Sequence, residues 1–269
     1  MMKFALLASG SKGNCFLLWD EALFLMVDCG STKRWLTQAF QEVHADPADL
    51  DAVFITHDHS DHVSQLKMFS DHVIYSPVEL AFDSIRVKSE EKITLQHMTV
   101  TPLALSHDAR NTTGYVFQTW QEKLVYITDT GYLKDSYLPL LKGADYIILE
   151  SNHDVGMLMN TSRPYMLKQR IASDSGHLCN EDCAAVLDAI VTEKTKMVVL
   201  AHISQQANTY EQALSVSRDV LLNHKGTLNK DLVLKAAEQF EIIKGGTWNE
   251  ETDGSMHCCA VGLERMAHL

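Results

Sequence analysis

Apolar residues in the first part of this chain fall in short, nearly unbroken runs set off by turn residues. KFALLA (3–8), CFLLW (15–19) and LFLMVD (23–28) are too short for helices and read as strands. The period then changes. In STKRWLTQAFQEV (31–43), Trp35, Leu36, Ala39, Phe40 and Val43 recur at helical spacing, with Ser31 as N-cap. DAVFIT (51–56) is a buried strand, and Ser60 caps a helix running to Phe69. ITLQHMTVTPLAL, GYVFQTW, KLVYIT and DYIILE add strands. NEDCAAVLDAIVTE (180–193) is a helix capped by Asn180, MVVLA (197–201) a strand and TYEQALSVSRDVLL (209–222) a helix. LVLKAAEQFEIIKGG holds one or two strands. Strands first, then strands alternating with helices, without repeat or linker, predict one α/β domain over residues 1–269.

With 269 residues, 46% of them hydrophobic, the chain can bury a full core. Acids outnumber bases 35 to 23, a formal net charge of −12. That excludes a generally basic, nucleic-acid-coating surface and leaves room only for a local basic patch. FALLA, near the start, is too short for a secretion signal, whose apolar core needs roughly 7–15 residues. No segment reaches the ~18 apolar residues of a membrane span, so a cytoplasmic protein without a membrane partner is expected. Its six cysteines (15, 29, 179, 183, 258 and 259) form no C-x-x-C pair and read as reduced thiols outside any metal site.

THDHSDHV (56–63) crowds His57, Asp58, His59, Asp61 and His62 into one turn behind a buried strand. Metal ligands act best from the ends of rigid elements, and three later strand ends carry matching residues. PLALSHDA leads to His107, KLVYITDTG to Asp129 and KMVVLAHIS to His202. The set suits two divalent ions about 3.5–4 Å apart. His57, His59 and His107 would hold the first, and Asp61, His62 and His202 the second, with Asp129 bridging. Such a pair makes hydroxide available near neutral pH. Donors that are all nitrogen or oxygen admit Zn²⁺, Mn²⁺ or Fe. A lone strand-end histidine is more often packed or solvent-facing than a ligand; the joint pattern carries the argument.

THDHSDH resembles the H-x-H-x-D-H signature of the metallo-β-lactamase superfamily, and His107, Asp129 and His202 follow in that family's order. The resemblance implies an αββα four-layer sandwich with a dinuclear metal site at the sheet edge, and Asp28 supporting the metal loop from behind. LASGSKGNC, DCGST, SHDARNTTGY, ITDTGY, LESNHD, LKQRIASDSGHLCNEDC and LAHIS resemble the YycJ/WalJ-type branch, bacterial proteins similar to 5′→3′ exonucleases and phosphodiesterases. Two positions depart from that pattern: Thr113, where proline is expected, and Cys179, where serine is usual. The interval from Asp129 to His202 is too short for the inserted cap domain of the β-CASP nucleases.

Asp61 and His177 are the residues assigned a catalytic part. His177 precedes a helix N-terminus, where a phosphate is favourably met, and the resemblance implies contact with the scissile phosphate or the leaving oxygen. Ser9, Ser11 and Asn14, in SGSKGN, could present a loop to an anion. His153, with Glu150, would line the rim. Arg163, Lys168 and Arg170 cluster around Tyr165, as a phosphate backbone with a stacked base would need. The expected function is a dinuclear metal-dependent phosphodiesterase using a metal-bridged hydroxide, a 5′→3′ exonuclease on DNA or RNA. The alternative is a small-molecule hydrolase on the same core, acting on a cyclic nucleotide or other phosphodiester, a thioester or a lactone. A closed, purely structural metal site is the third reading.

Overall fold

A strand with no polar alternation needs cover on both faces, and the apolar runs receive it. The computed structural model describes residues 1–248; Cys258 and Cys259 lie outside the described residues. In chain order the elements are β1 (Lys3–Ala8), β2 (Cys15–Trp19), β3 (Phe24–Val27), α1 (Lys33–Glu42), β4 (Ala52–Phe54), α2 (Ser60–Val63), β5 (Val73–Ser76) and β6 (Ile85–Arg86). There follow β7 (Ile93–Leu95), β8 (Met98–Ala104), β9 (Thr113–Gln118), β10 (Lys123–Ile127), α3 (Leu138–Leu141), β11 (Tyr146–Glu150), α4 (Val155–Asn160) and α5 (Tyr165–Ile171). α6 (Asn180–Ile190), β12 (Met197–Ala201), α7 (Tyr210–Leu222), β13 (Val233–Ala236) and β14 (Ile243–Gly246) complete them.

The strands form two mixed seven-stranded sheets, ordered β14-β1-β2-β3-β4-β5-β6 and β13-β12-β11-β10-β9-β8-β7. In the first, β3 to β6 run parallel; in the second, β10 to β13 do. Alternate residues of each strand serve different layers. Phe4, Leu6, Phe54, Tyr126, Ile148 and Val199 pack between the sheets. Ala5, Leu7 and Val53 face Leu36 and Phe40 of α1 on one outside, and Val125, Ile147 and Val198 face Cys183 and Leu187 of α6 on the other. This is the expected αββα four-layer sandwich.

Several local expectations are corrected. Ser31 takes a left-handed φ of 86°, so Thr32 caps α1, its hydroxyl accepting the Trp35 N–H. The helix expected from Ser60 to Phe69 stops after Val63 and resumes as a 3₁₀ turn at Leu66–Phe69; His59, without a side-chain bond, holds the cap position. Cys179, not Asn180, caps α6, because Asn180 is buried and bonded to Ser151 and Asn208. The ambiguous C-terminal stretch forms two strands, one in each sheet.

Two bonds tie the sheets together at one edge. Tyr115 on β9 donates its hydroxyl to the Ile55 carbonyl at 2.6 Å, and the Thr113 N–H donates to the Thr56 carbonyl at 3.0 Å. The second uses an N–H that proline lacks. Tyr115→Phe leaves the buried Ile55 carbonyl without that donor and should cost about 1–3 kcal/mol, read from the urea midpoint. An unchanged midpoint would show that this bond does not hold the edge.

Candidate metal centre

The C-terminal ends of the parallel strands in both sheets converge on the tied edge, as ligand-bearing ends do in open α/β folds. Asp28 directly follows β3, Asp129 lies just past β10, Glu150 ends β11 and His202 follows β12. Asp28, Asp129 and His202 adopt left-handed φ angles of 59°, 60° and 54°. For a non-glycine residue this conformation costs on the order of 1–3 kcal/mol, and at three strand exits it turns the chain sharply where these side chains stand. Gly30 is required nearby, because a Cβ there would lie 1.7 Å from the Asp61 carbonyl oxygen.

Donor atoms gather in overlapping sets, each within 4.8 Å: His57, His59 and His107; Asp61, His62 and His202; His57, His62 and Asp129; and Asp129, Glu150, His177 and His202. Four rings follow one rule. Nδ1 of each is engaged: His57 with Thr56 Oγ1 (3.0 Å), His62 with Asp28 Oδ2 (2.8 Å), His107 with the Gly176 carbonyl (2.9 Å) and His202 with Glu150 Oε1 (2.9 Å). That leaves Nε2 free on His57 and His202 and facing Asp129 on His62 and His107, the tautomer a metal ligand needs. His57 Nε2, His202 Nε2 and Asp129 Oδ2 are buried without a hydrogen-bond partner. Unpartnered buried polar atoms this dense are costly unless a bound ion satisfies them, so the residues fit divalent metal.

Residues 24–203 match the family described as "Beta-lactamase superfamily domain". The chain belongs to the beta-lactamase superfamily. It is similar to exodeoxyribonuclease YycJ of Bacillus anthracis, 33% identical across 84% of this chain and 90% of that one. It is also similar to exodeoxyribonuclease WalJ of Streptococcus pneumoniae serotype 2, 34% identical across 78% and 85%. Among solved structures, the metallo-beta-lactamase fold protein YhfI from Bacillus subtilis shares the fold, with a TM-score of 0.68 at 18% identity over 91% and 99% of the chains. This beta-lactamase superfamily member is thus a metal-dependent hydrolase, and its motifs resemble the branch that the YycJ and WalJ relatives represent. No helix among the described residues is long and apolar enough to cross a membrane.

Within this superfamily site, Asp28 reaches further than its expected part. It accepts the Thr56 N–H at 2.9 Å and the Thr56 hydroxyl at 2.8 Å, so Thr56 relays its orientation to His57. Burial pushes the Asp28 carboxyl up despite these partners. Burial likewise drives His57 down toward the neutral ring. It opposes charge on His62 and His202 too, but the carboxylates win: Asp28 and Asp129 lift His62 well above its ordinary value, and Asp129 and Glu150 raise His202 to about 9. Asp129 is held well below the usual carboxylate range by His202 and His62 against its burial.

Glu150, expected only to line the rim, is completely buried and central. Its Oε1 lies 2.8 Å from His177 Nδ1 and 2.9 Å from His202 Nδ1, while Oε2 accepts the Thr130 and Leu178 N–H groups. His177 and His202 overcome burial and hold its carboxyl down at about 2. A glutamate closing an apolar strand was the signal for it. Ser9 and Asn14 do not face solvent. Ser9 Oγ accepts the His202 N–H at 2.7 Å; Asn14 pairs with Gly10 and reaches His62 Nε2 at 2.9 Å. Ser11 is exposed on the same loop, and His153 is buried beneath the rim rather than on it. Arg163 bonds Gln206, Lys168 bonds the Met159 carbonyl and Arg170 pairs with Asp108.

His62 and His202, lifted above the ordinary 6.5, must each lose a proton before accepting a cation. Divalent-metal binding to the metal-free protein should therefore release protons near neutral pH, and affinity should rise with pH toward about 9. Calorimetry in buffers of different ionisation enthalpy reads this directly; a buffer-independent enthalpy would contradict it.

Proposed function

We propose that the chain is a dinuclear metal-dependent phosphodiesterase that degrades nucleic acid as an exonuclease, working as one catalytic domain in the cytoplasm. The observation that carries this reading is the set of four histidines engaged at Nδ1 and gathered with Asp129 in overlapping clusters of donor atoms. His57, His59 and His107 would hold one ion, Asp61, His62 and His202 the other, and Asp129 both. Bound there, two Zn²⁺, Mn²⁺ or iron ions would supply the positive charge that neutralises a phosphodiester and activates water near neutral pH. The names of the YycJ and WalJ relatives support DNA as the polymer.

The chain's own residues supply the proton. The His177 ring stands between those of His107 and His202, at centroid distances of 4.9 and 5.1 Å, and its side chain is 19% exposed. Glu150, pinned by two backbone N–H groups, holds Nδ1, so Nε2 is the nitrogen that can hand a proton to the leaving oxygen. Tyr165 and Met166 are 66% and 75% exposed on α5, beside Arg163 and Lys168. Exposed aromatic and basic side chains along one short helix suit a single strand, stacked and phosphate-bound.

The test uses end-labelled single- and double-stranded oligonucleotides and bis-p-nitrophenyl phosphate, with Mn²⁺- and Zn²⁺-loaded protein. Stepwise mononucleotide release, abolished in Asp129→Ala, is expected. His177→Ala should lower oligonucleotide turnover about 10²–10⁴-fold but spare bis-p-nitrophenyl phosphate, whose leaving group needs little protonation. Intact oligonucleotides alongside cleaved p-nitrophenyl ester would instead favour a small-molecule substrate.

A further inference from the structure

Asp108 follows His107 immediately, its side chain 25% exposed. Its Oδ1 is 3.1 Å from His107 Nε2 and 3.9 Å from His59 Nε2. Its other oxygen is held by Arg170 Nη1 at 2.9 Å. Since His107 Nδ1 donates to the Gly176 carbonyl, a neutral His107 ring presents a lone pair at Nε2. A lone pair and a carboxylate oxygen facing each other at hydrogen-bond distance repel unless a cation lies between them. Ligands about 2.0–2.2 Å from one ion stand about 3–3.6 Å from each other, close to the separations Asp108 makes with both rings.

Resting on the dinuclear reading above, in which Asp129 is shared, we propose that Asp108 is a fifth protein ligand of the ion held by His57, His59 and His107, and that Arg170 positions it. Arg170 then acts through Asp108 instead of binding substrate. The carboxylate has a consequence for metal choice. Three histidines and the shared Asp129 alone make a four-ligand, tetrahedral set suited to Zn²⁺. An added oxygen donor favours higher coordination and harder cations such as Mn²⁺.

The experiment titrates metal-free full-length protein with Zn²⁺ and Mn²⁺ against a chelating indicator, and with Co²⁺ by its visible absorption. Wild type should bind two ions. Asp108→Asn should weaken one of them about 10–100-fold, more for Mn²⁺ than for Zn²⁺, and change the Co²⁺ spectrum of that ion. Asp108→Glu should restore part of the loss. Arg170→Ala should show a smaller weakening of the same ion. If wild type binds two ions and Asp108→Asn binds both with unchanged constants and spectrum, the inference is overturned while the dinuclear reading stands. If wild type takes no ion at the three-histidine set, both fall.

Discussion

Asp28, Asp129 and Glu150 are at most 2% exposed, and a carboxylate taken out of water persists only if other groups replace its hydration. Much of the site follows from meeting that demand. Asp28 is met by Thr56 and His62, Glu150 by two backbone N–H groups, His177 and His202, and Asp129 by the surrounding imidazoles. The same contacts fix the rings. An imidazole held at Nδ1 has one remaining nitrogen, and four histidines so held gather in the shared cluster. Stabilising the buried acids and orienting the clustered imidazoles are therefore one arrangement.

The sandwich makes this affordable by bringing independent strand exits to one place. Neither sheet alone carries the set: His57, Asp61 and His62 leave the first, while His107, Asp129, Glu150 and His202 leave the second. The alignment rests on the cross-sheet bonds of Tyr115 and Thr113 and on the 9–14 loop. That loop is held in turn by Gln239, whose side chain accepts the Lys12 N–H and donates to the Gly13 carbonyl. Ser9 and Asn14 pass the constraint on to His202 and His62.

The fold and the clustering of these histidines and acids were legible because their signals are local. Unbroken apolar runs specify doubly buried strands, and H-x-H-x-D-H behind such a run has little structural use. What escaped depends on distant partners. Glu150 reads as one more strand-end acid until His177 and His202 flank it, and Thr56 as the last residue of a buried strand until Asp28 receives its hydroxyl. Ser9 and Asn14 sit in a glycine-rich loop that suggests anion binding, yet burial gives their side chains to the protein. Caps at Ser31 and Asn180 failed for similar reasons: a left-handed backbone at one and a buried amide network at the other override a sound local preference.

Where cations bind is the most direct test of the dinuclear centre. Anomalous diffraction from crystals of the Mn²⁺- or Zn²⁺-loaded protein, recorded at the metal edge, locates them. Two peaks about 3.5–4 Å apart are predicted, one against His57, His59 and His107, the other against Asp61, His62 and His202, with Asp129 touching both. A single peak, or ions bound away from these Nε2 atoms, would contradict it.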